Sequence, residues 1–257
     1  MNLLTTSCQA VAHAAGQFNV YWRNGRHGAG LMSVSVHRSF PDPEVIAELS
    51  ALQWLLCQRA VFGATQNGKG LHLKVGAGAI RKAVRAVTAG DAEQFGKPHL
   101  KPYAHFLATR FAGAVLEVDK DRSWVPDRLP SDHATLSIRQ PLPNTVEIPG
   151  LGVVAVSTHA FERFGERLCR QAGHDTWRLL RRVVNGPLQR IRRAPEAEAH
   201  LIAKHGREGE LWVNPELGWG FVLVPQTPLP VMVTAYAVTE CGGMKRLPDQ
   251  SRVSTVC

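Results

Sequence analysis

Between residues 126 and 150 the chain carries five prolines: Pro126, Pro130, Pro141, Pro143 and Pro149. A proline ring fixes φ and removes an amide hydrogen, so no continuous helix and no central strand can cross this stretch. The sequence is thereby divided into two halves, each of which must build its own core. With 257 residues there is chain enough for both. The expected organisation is a first domain over 1–125 and a second over 151–240. Residues 126–150 serve as an interdomain connection, or as a β-arm packed on the first domain, and residues 241–257 form a mobile tail.

The first half reads as strands, then a helix, then alternating elements. Met1 to Cys8 can form a strand that ends in the polar run Thr5-Thr6-Ser7. Residues 17–23 alternate apolar Phe18, Val20 and Trp22 with Gln17, Asn19 and Tyr21. Asn24-Gly25 is a hairpin turn signal, and residues 31–37 alternate again. Next comes Asp42-Pro43-Glu44, in which Asp42 suits an N-cap and Pro43 the first helical position. Val45, Leu49, Leu52 and Leu56 then repeat at helical spacing, widened by Ile46. Glu48 lies one residue from that apolar stripe, where a carboxylate is either a solvated edge residue or part of a site. Beyond it, 71–75 reads as a strand, 79–87 and 102–111 as helices, and 114–118 as a strand. The order is β-β-β-α-β-α-α-β.

This order, together with the motif Ala47-Glu48-Leu49-x-Ala51-Leu52, resembles the ribonuclease H-like fold over about the first half of the chain. Active members of that family hold two metal ions with clustered carboxylates. Glu48 matches the family's helix glutamate. The aspartates that the resemblance implies at the ends of the first and fourth strands are replaced by Thr5-Thr6-Ser7 and Val75-Gly76-Ala77. Asp127 is the remaining candidate for a further aspartate. Hydroxyls and glycines cannot hold two magnesium ions against water. The resemblance therefore implies a degenerate site with Glu48 as a vestige, and no metal and no cofactor is expected.

The second half is expected to be α+β, a helical segment followed by a four-strand antiparallel sheet. Ser157 or Thr158 caps a helix over 159–171. Its apolar face is Ala160, Phe164 and Leu168, and His159, Arg163 and Arg167 lie one turn apart on another face, with Arg170 beside them. A helix over 176–184 buries Trp177, Leu180 and Val184 and shows Arg178, Arg181 and Arg182. The helical region continues over 188–193 with Arg190, Arg192 and Arg193, and strands follow over 199–203, 210–213, 218–224 and 231–238. Thr158-His159-Ala160-Phe161-Glu162-Arg163-Phe164 resembles the opening helix of some barnase/RelE-like small ribonuclease and toxin domains, and Val231 to Tyr236 resembles their last strand. That resemblance implies metal-free RNA cleavage. His159 would act as base or acid, Arg163 and Arg167 would hold the phosphate, and His200 and Tyr236 are partners from the sheet. The plainer reading is a capping histidine and a solvated arginine stripe.

Charge decides which partners to expect. The net charge is +9, which favours polyanions, nucleic acid above all. The arginines 163, 167, 170, 178, 181, 182, 190, 192 and 193 are the candidate contacts. Phosphate binding needs only charge and reach, so RNA or DNA binding is expected ahead of catalysis. The binding protein is expected as a subunit of a nucleoprotein assembly; a metal-independent ribonuclease is the alternative, and a protein-interaction or inhibitor module is the third reading. Five scattered cysteines without C-x-x-C spacing, no long apolar run and no signal-like N-terminus favour a cytoplasmic protein without a membrane. Dinucleotide, phosphate-loop, hydrolase and zinc-protease motifs are absent from the sequence.

Overall fold

The computed structural model describes residues 1–25, 28–63, 66–89, 96–126, 128, 130–168, 176–192, 195–205, 208–238 and 245–246. The chain is mixed α/β and divides into two units, Met1–Leu142 and Pro143–Cys257. Each is built on a mixed sheet. The boundary falls inside the proline-rich stretch. His133–Ile138 joins the first sheet, and Asn144–Ile148 opens the second. The prolines stand between these strands or at their margins, where no ladder hydrogen bond is lost.

In the first unit, β1 (Asn2–Ala10), β2 (Gln17–Arg23) and β3 (Ala29–Val36) form an antiparallel meander. Helix α1 (Pro43–Gln53) follows, continued by a π-helical turn, Trp54–Gln58. Strand β4 (Leu71–Val75) returns parallel to β1, and after α2 (Gly78–Ala89) and α3 (Lys101–Ala108) strand β5 (Val115–Val118) lies parallel to β4. Strand β6 (His133–Ile138) closes the other edge, parallel to β3. The strand order is β5-β4-β1-β2-β3-β6. Leu4 and Cys8 of β1, Val20 and Trp22 of β2 and Met32 and Val34 of β3 meet Ile46, Leu49 and Leu52 of α1 in one core. Because α1 also contacts α3, it is buried on every side from Val45 to Gln53. The apolar stripe in the sequence understates that burial.

Asp42 does not act as the side-chain cap expected of it. Its backbone is left-handed, with φ 51°, and no capping hydrogen bond forms. Its carboxylate instead pairs with Lys97 and with His99 Nε2, and the Lys97 hydrogen bond is the main reason its carboxyl is held below the usual range.

In the second unit the strands are β7 (Asn144–Ile148), β8 (Gly152–Val156), β9 (Gln189–Arg192), β10 (Glu210–Asn214), β11 (Trp219–Val224), β12 (Val231–Ala237) and β13 (Lys245–Arg246). Their order is β13-β9-β10-β11-β12-β8-β7, with only β12 and β8 parallel. Helices α4 (Thr158–Arg167) and α5 (Thr176–Val184) pack through Phe164, Trp177 and Leu180 on the sheet face that carries Trp219, Phe221 and Leu223. Ser157 caps α4 by accepting the Ala160 amide at 3.1 Å.

Two elements correct the sequence reading. Residues 188–192, the described part of 188–193, do not extend a helix, because Gly186-Pro187 ends α5 and Gln189–Arg192 pairs with β10. Residues 199–203 are not a strand. They lie inside α6 (Pro195–His205), which starts on Pro195 with Glu196 and Glu198 in its first turn, all favourable at a helix N-terminus. The expected four-strand antiparallel sheet is thus a seven-strand mixed one. Of the expected tail, Lys245–Arg246 pairs with β9 and the remainder lies outside the described residues.

Candidate functional site

Glu48 is 1 % exposed and is the most buried charged side chain among the described residues of the first unit. Of the two readings of this carboxylate, the solvated edge residue is therefore corrected. Its position follows from α1, which turns Glu48 toward the point where β1 and the end of β4 run side by side. Thr6 Oγ1 donates to Glu48 Oε1 at 2.8 Å. The Gly76 amide donates to the same oxygen at 2.7 Å, and the Ala77 amide to Oε2 at 3.2 Å. Gly76 and Ala77 immediately precede α2, so Glu48 accepts backbone amides that the start of a helix leaves without an internal partner. One carboxylate thus ties β1, α1, β4 and α2 together.

Burial pushes the Glu48 carboxyl above its ordinary range, while the Gly76, Thr6 and Ala77 hydrogen bonds pull the other way and Glu44 adds to the rise. Cys8, also on β1, is buried, and its thiol is driven up first by burial and then by Glu48 and Glu44. A Cβ at Gly76 would lie 3.6 Å from both Glu48 oxygens, at ordinary contact distance. Around Glu48 the polar neighbours, Thr6 on β1 and the Gly76 and Ala77 amides just after β4, act as hydrogen-bond donors, where a pair of divalent ions would need further oxygen anions. The residues present do not fit a two-metal group. Among the described residues no cluster of three His, Cys, Asp or Glu side chains could hold a metal ion. Asp127 lies outside the described residues.

The described basic residues expected at the site in the second unit fall into three groups. On α4, His159 and Arg163 are exposed, with Arg163 Nη1 2.9 Å from Glu166 Oε2, and Arg167 is half-buried and donates to the Ala235 carbonyl at 3.0 Å. On α5, Trp177, Leu180, Val183 and Val184 are buried, which leaves Arg178 and Arg182 exposed and Arg181 half-buried. On β9, Arg190 and Arg192 are exposed, and Arg190 pairs with Glu210 at 3.0 Å. Arg170 and Arg193 lie outside the described residues. The end of α5 is fixed by fully buried Asn214, whose Nδ2 donates to the Val183 carbonyl at 2.9 Å.

The expected catalytic partners do not converge. Ala235 pairs with Phe221 on the face that packs against α4, so Tyr236, next along β12, points to the opposite face. There its ring lies against Gly220. His159 is therefore on one side of the sheet and Tyr236 on the other. His200 lies in α6, and its side chain is outside the described residues.

No family model, no curated protein and no solved structure matches this chain.

The sequence reading missed the role of Thr6, Gly76 and Ala77 as donors to Glu48. It treated them as places where aspartates are lacking. A glycine pair immediately before a predicted helix was the available signal, since free helix-start amides seek an acceptor.

Proposed function

We propose that this protein binds nucleic acid, RNA or DNA, through its basic second unit. In this reading the first unit is ribonuclease H-like, and Glu48 has become a structural joint. The observation that carries the reading is α5. Its apolar side is locked into the core by Trp177 and Leu180, and its other side presents Arg178, Arg181 and Arg182. Arginines at helical spacing on a rigid element suit phosphate contacts, which need charge and reach without base recognition. The antiparallel meander, the parallel returns of β4 and β5 and the place of Glu48 between β1 and β4 support the ribonuclease H-like assignment.

A salt titration tests the binding. The affinity for duplex or single-stranded nucleic acid is expected to fall linearly in log–log form, by about 0.9 per duplex phosphate contacted. Replacing Arg178, Arg181 and Arg182 together with alanine is expected to reduce that slope and keep the fold, because alanine favours helix. Equal slopes for wild type and variant would remove α5 from the contact surface. Association with an acidic protein, with no salt-dependent binding of nucleic acid, would favour the interaction-module reading.

A second measurement bears on the first unit. Magnesium or manganese is expected to give no cleavage of an RNA–DNA hybrid, because Thr6 and Gly76 stand where oxygen anions are needed. Metal-dependent cleavage that disappears in Glu48→Gln would overturn this. The ribonuclease alternative for the second unit has less support. Arg163 and Arg167 already engage Glu166 and the Ala235 carbonyl, and Tyr236 lies across the sheet from α4.

A further inference from the structure

We infer that α2 of the first unit is a second phosphate-contact face, which takes the backbone of duplex nucleic acid without reading its sequence. The inference rests on the nucleic-acid reading above and extends it to a surface in the other unit. Helix α2 buries Ile80 and Ala83 against the first core, with Val84 and Val87 beside them. Arg81, Lys82 and Arg85 are exposed on the other side. No hydrogen bond or ion pair joins any of the three to another described residue.

Three features set this face apart from an ordinary solvated one. First, residues 49–90 contain no aspartate or glutamate, so the helix lacks the acid–base pairs at i, i+4 that usually accompany surface cations. Second, Arg81 and Arg85 are like charges at i, i+4, an arrangement that costs helix stability unless an anion lies between them. Third, Arg81 lies in the first turn and no basic residue lies in the last. The N-terminal end of the helix dipole is positive and its effect is confined to the first turn, so this is the unfavourable end for Arg81. In α5, by contrast, Arg181 and Arg182 occupy the last turn, where the dipole itself accounts for part of their placement. A polyanion laid along α2 relieves both the mutual repulsion and the dipole conflict.

The exposed side of α2 has no aromatic residue. Single-strand binders stack bases on aromatic rings, so a face with charge alone suits the regular phosphate rows of a duplex. Sequence selectivity is not expected, since base edges are not contacted.

The test is a salt titration of full-length protein on duplex and single strands of equal length. It uses wild type, R81A/K82A/R85A and R178A/R181A/R182A, with helicity checked by circular dichroism. A second α2 variant with glutamine at the three positions guards against loss of fold. On duplex, the α2 variants are expected to lower the log–log slope by about 2 to 3, so that they lose about 40-fold less affinity than wild type between about 50 and about 200 mM salt. If the α2 variants keep the wild-type slope while the α5 variant loses part of it, the α2 inference fails and the nucleic-acid reading stands. If wild type shows no salt-dependent binding, both fail. If the slope falls on single strands alone, the assignment to duplex is overturned.

Discussion

Glu48→Ala is expected to destabilise the first unit by about 3 kcal/mol or more, the sum of several buried donors left without an acceptor. The Thr6 hydroxyl and the Gly76 and Ala77 amides all end on this carboxylate. Losing it also unties the start of α2 from β1. Urea unfolding followed by far-ultraviolet circular dichroism reads the loss as a lower midpoint at unchanged slope. A loss of less than about 1 kcal/mol would mean that water takes over the three donors and that Glu48 is not the joint described. Glu48→Gln keeps the shape and one acceptor, but places an amide group against donors, so a smaller loss is expected.

The wild-type advantage over Glu48→Gln should also depend on pH, with a definite sign. The folded carboxyl titrates above the unfolded one, so the folded state holds the proton more tightly. Stability from this group is then fully present below the unfolded value, about 4.3, and is lost as pH rises through the folded value. The protonated form has a route to a satisfied network. Its O–H can turn to Thr6 Oγ1, whose own proton then goes to the Lys74 carbonyl 3.5 Å away. Comparing the two proteins at each pH cancels the other acids. An advantage that grows with pH above that range would show that the hydrogen bonds outweigh burial.

Much of this architecture could be read from local pattern. The meander of β1 to β3 is written in the alternation of 17–23 and 31–37 and in Asn24-Gly25. Helix α5 is written in the spacing of Trp177, Leu180 and Val184. What failed was whatever depended on tertiary context. Ala199 to Ala203 carries an apolar pair that passes for a short strand. The helix signals stood upstream, in Pro195, Glu196 and Glu198. Gln189–Arg192 alternates too briefly to declare itself a strand, and only pairing with β10 makes it one. Asp42 has the right residue type for a cap, but the nearby Lys97 and His99 compete for its carboxylate.

The site was half legible for the same reason. The positions that meet Glu48 were identified, at 5–7 and 75–77, because a missing residue type is visible in sequence. That they would close on Glu48 as donors was not visible, because backbone amides have no residue letter. Burial of Glu48 was hidden too, since α3 covers the second side of α1 from more than forty residues away in sequence.

Phe164→Ala is expected to cost the second unit about 3–5 kcal/mol, the range for truncating a buried aromatic ring. Phe164 is 0 % exposed. Its ring centroid lies 4.2 Å from that of Trp219 and 6.4 Å from that of Phe221, so it is the contact that seats α4 on the sheet. Its cluster shares no residue with the core of the first unit. Calorimetry should therefore show the transition of the second unit moving down while that of the first stays in place. Fluorescence offers a second view, because Trp177, Trp212 and Trp219 all belong to the second cluster. Nucleic-acid binding should fall in step with the unfolded fraction of the second unit, since α5 is presented by the same core. Binding that survives at a temperature where this unit has melted would place the contact surface elsewhere, with α2 as the first place to look.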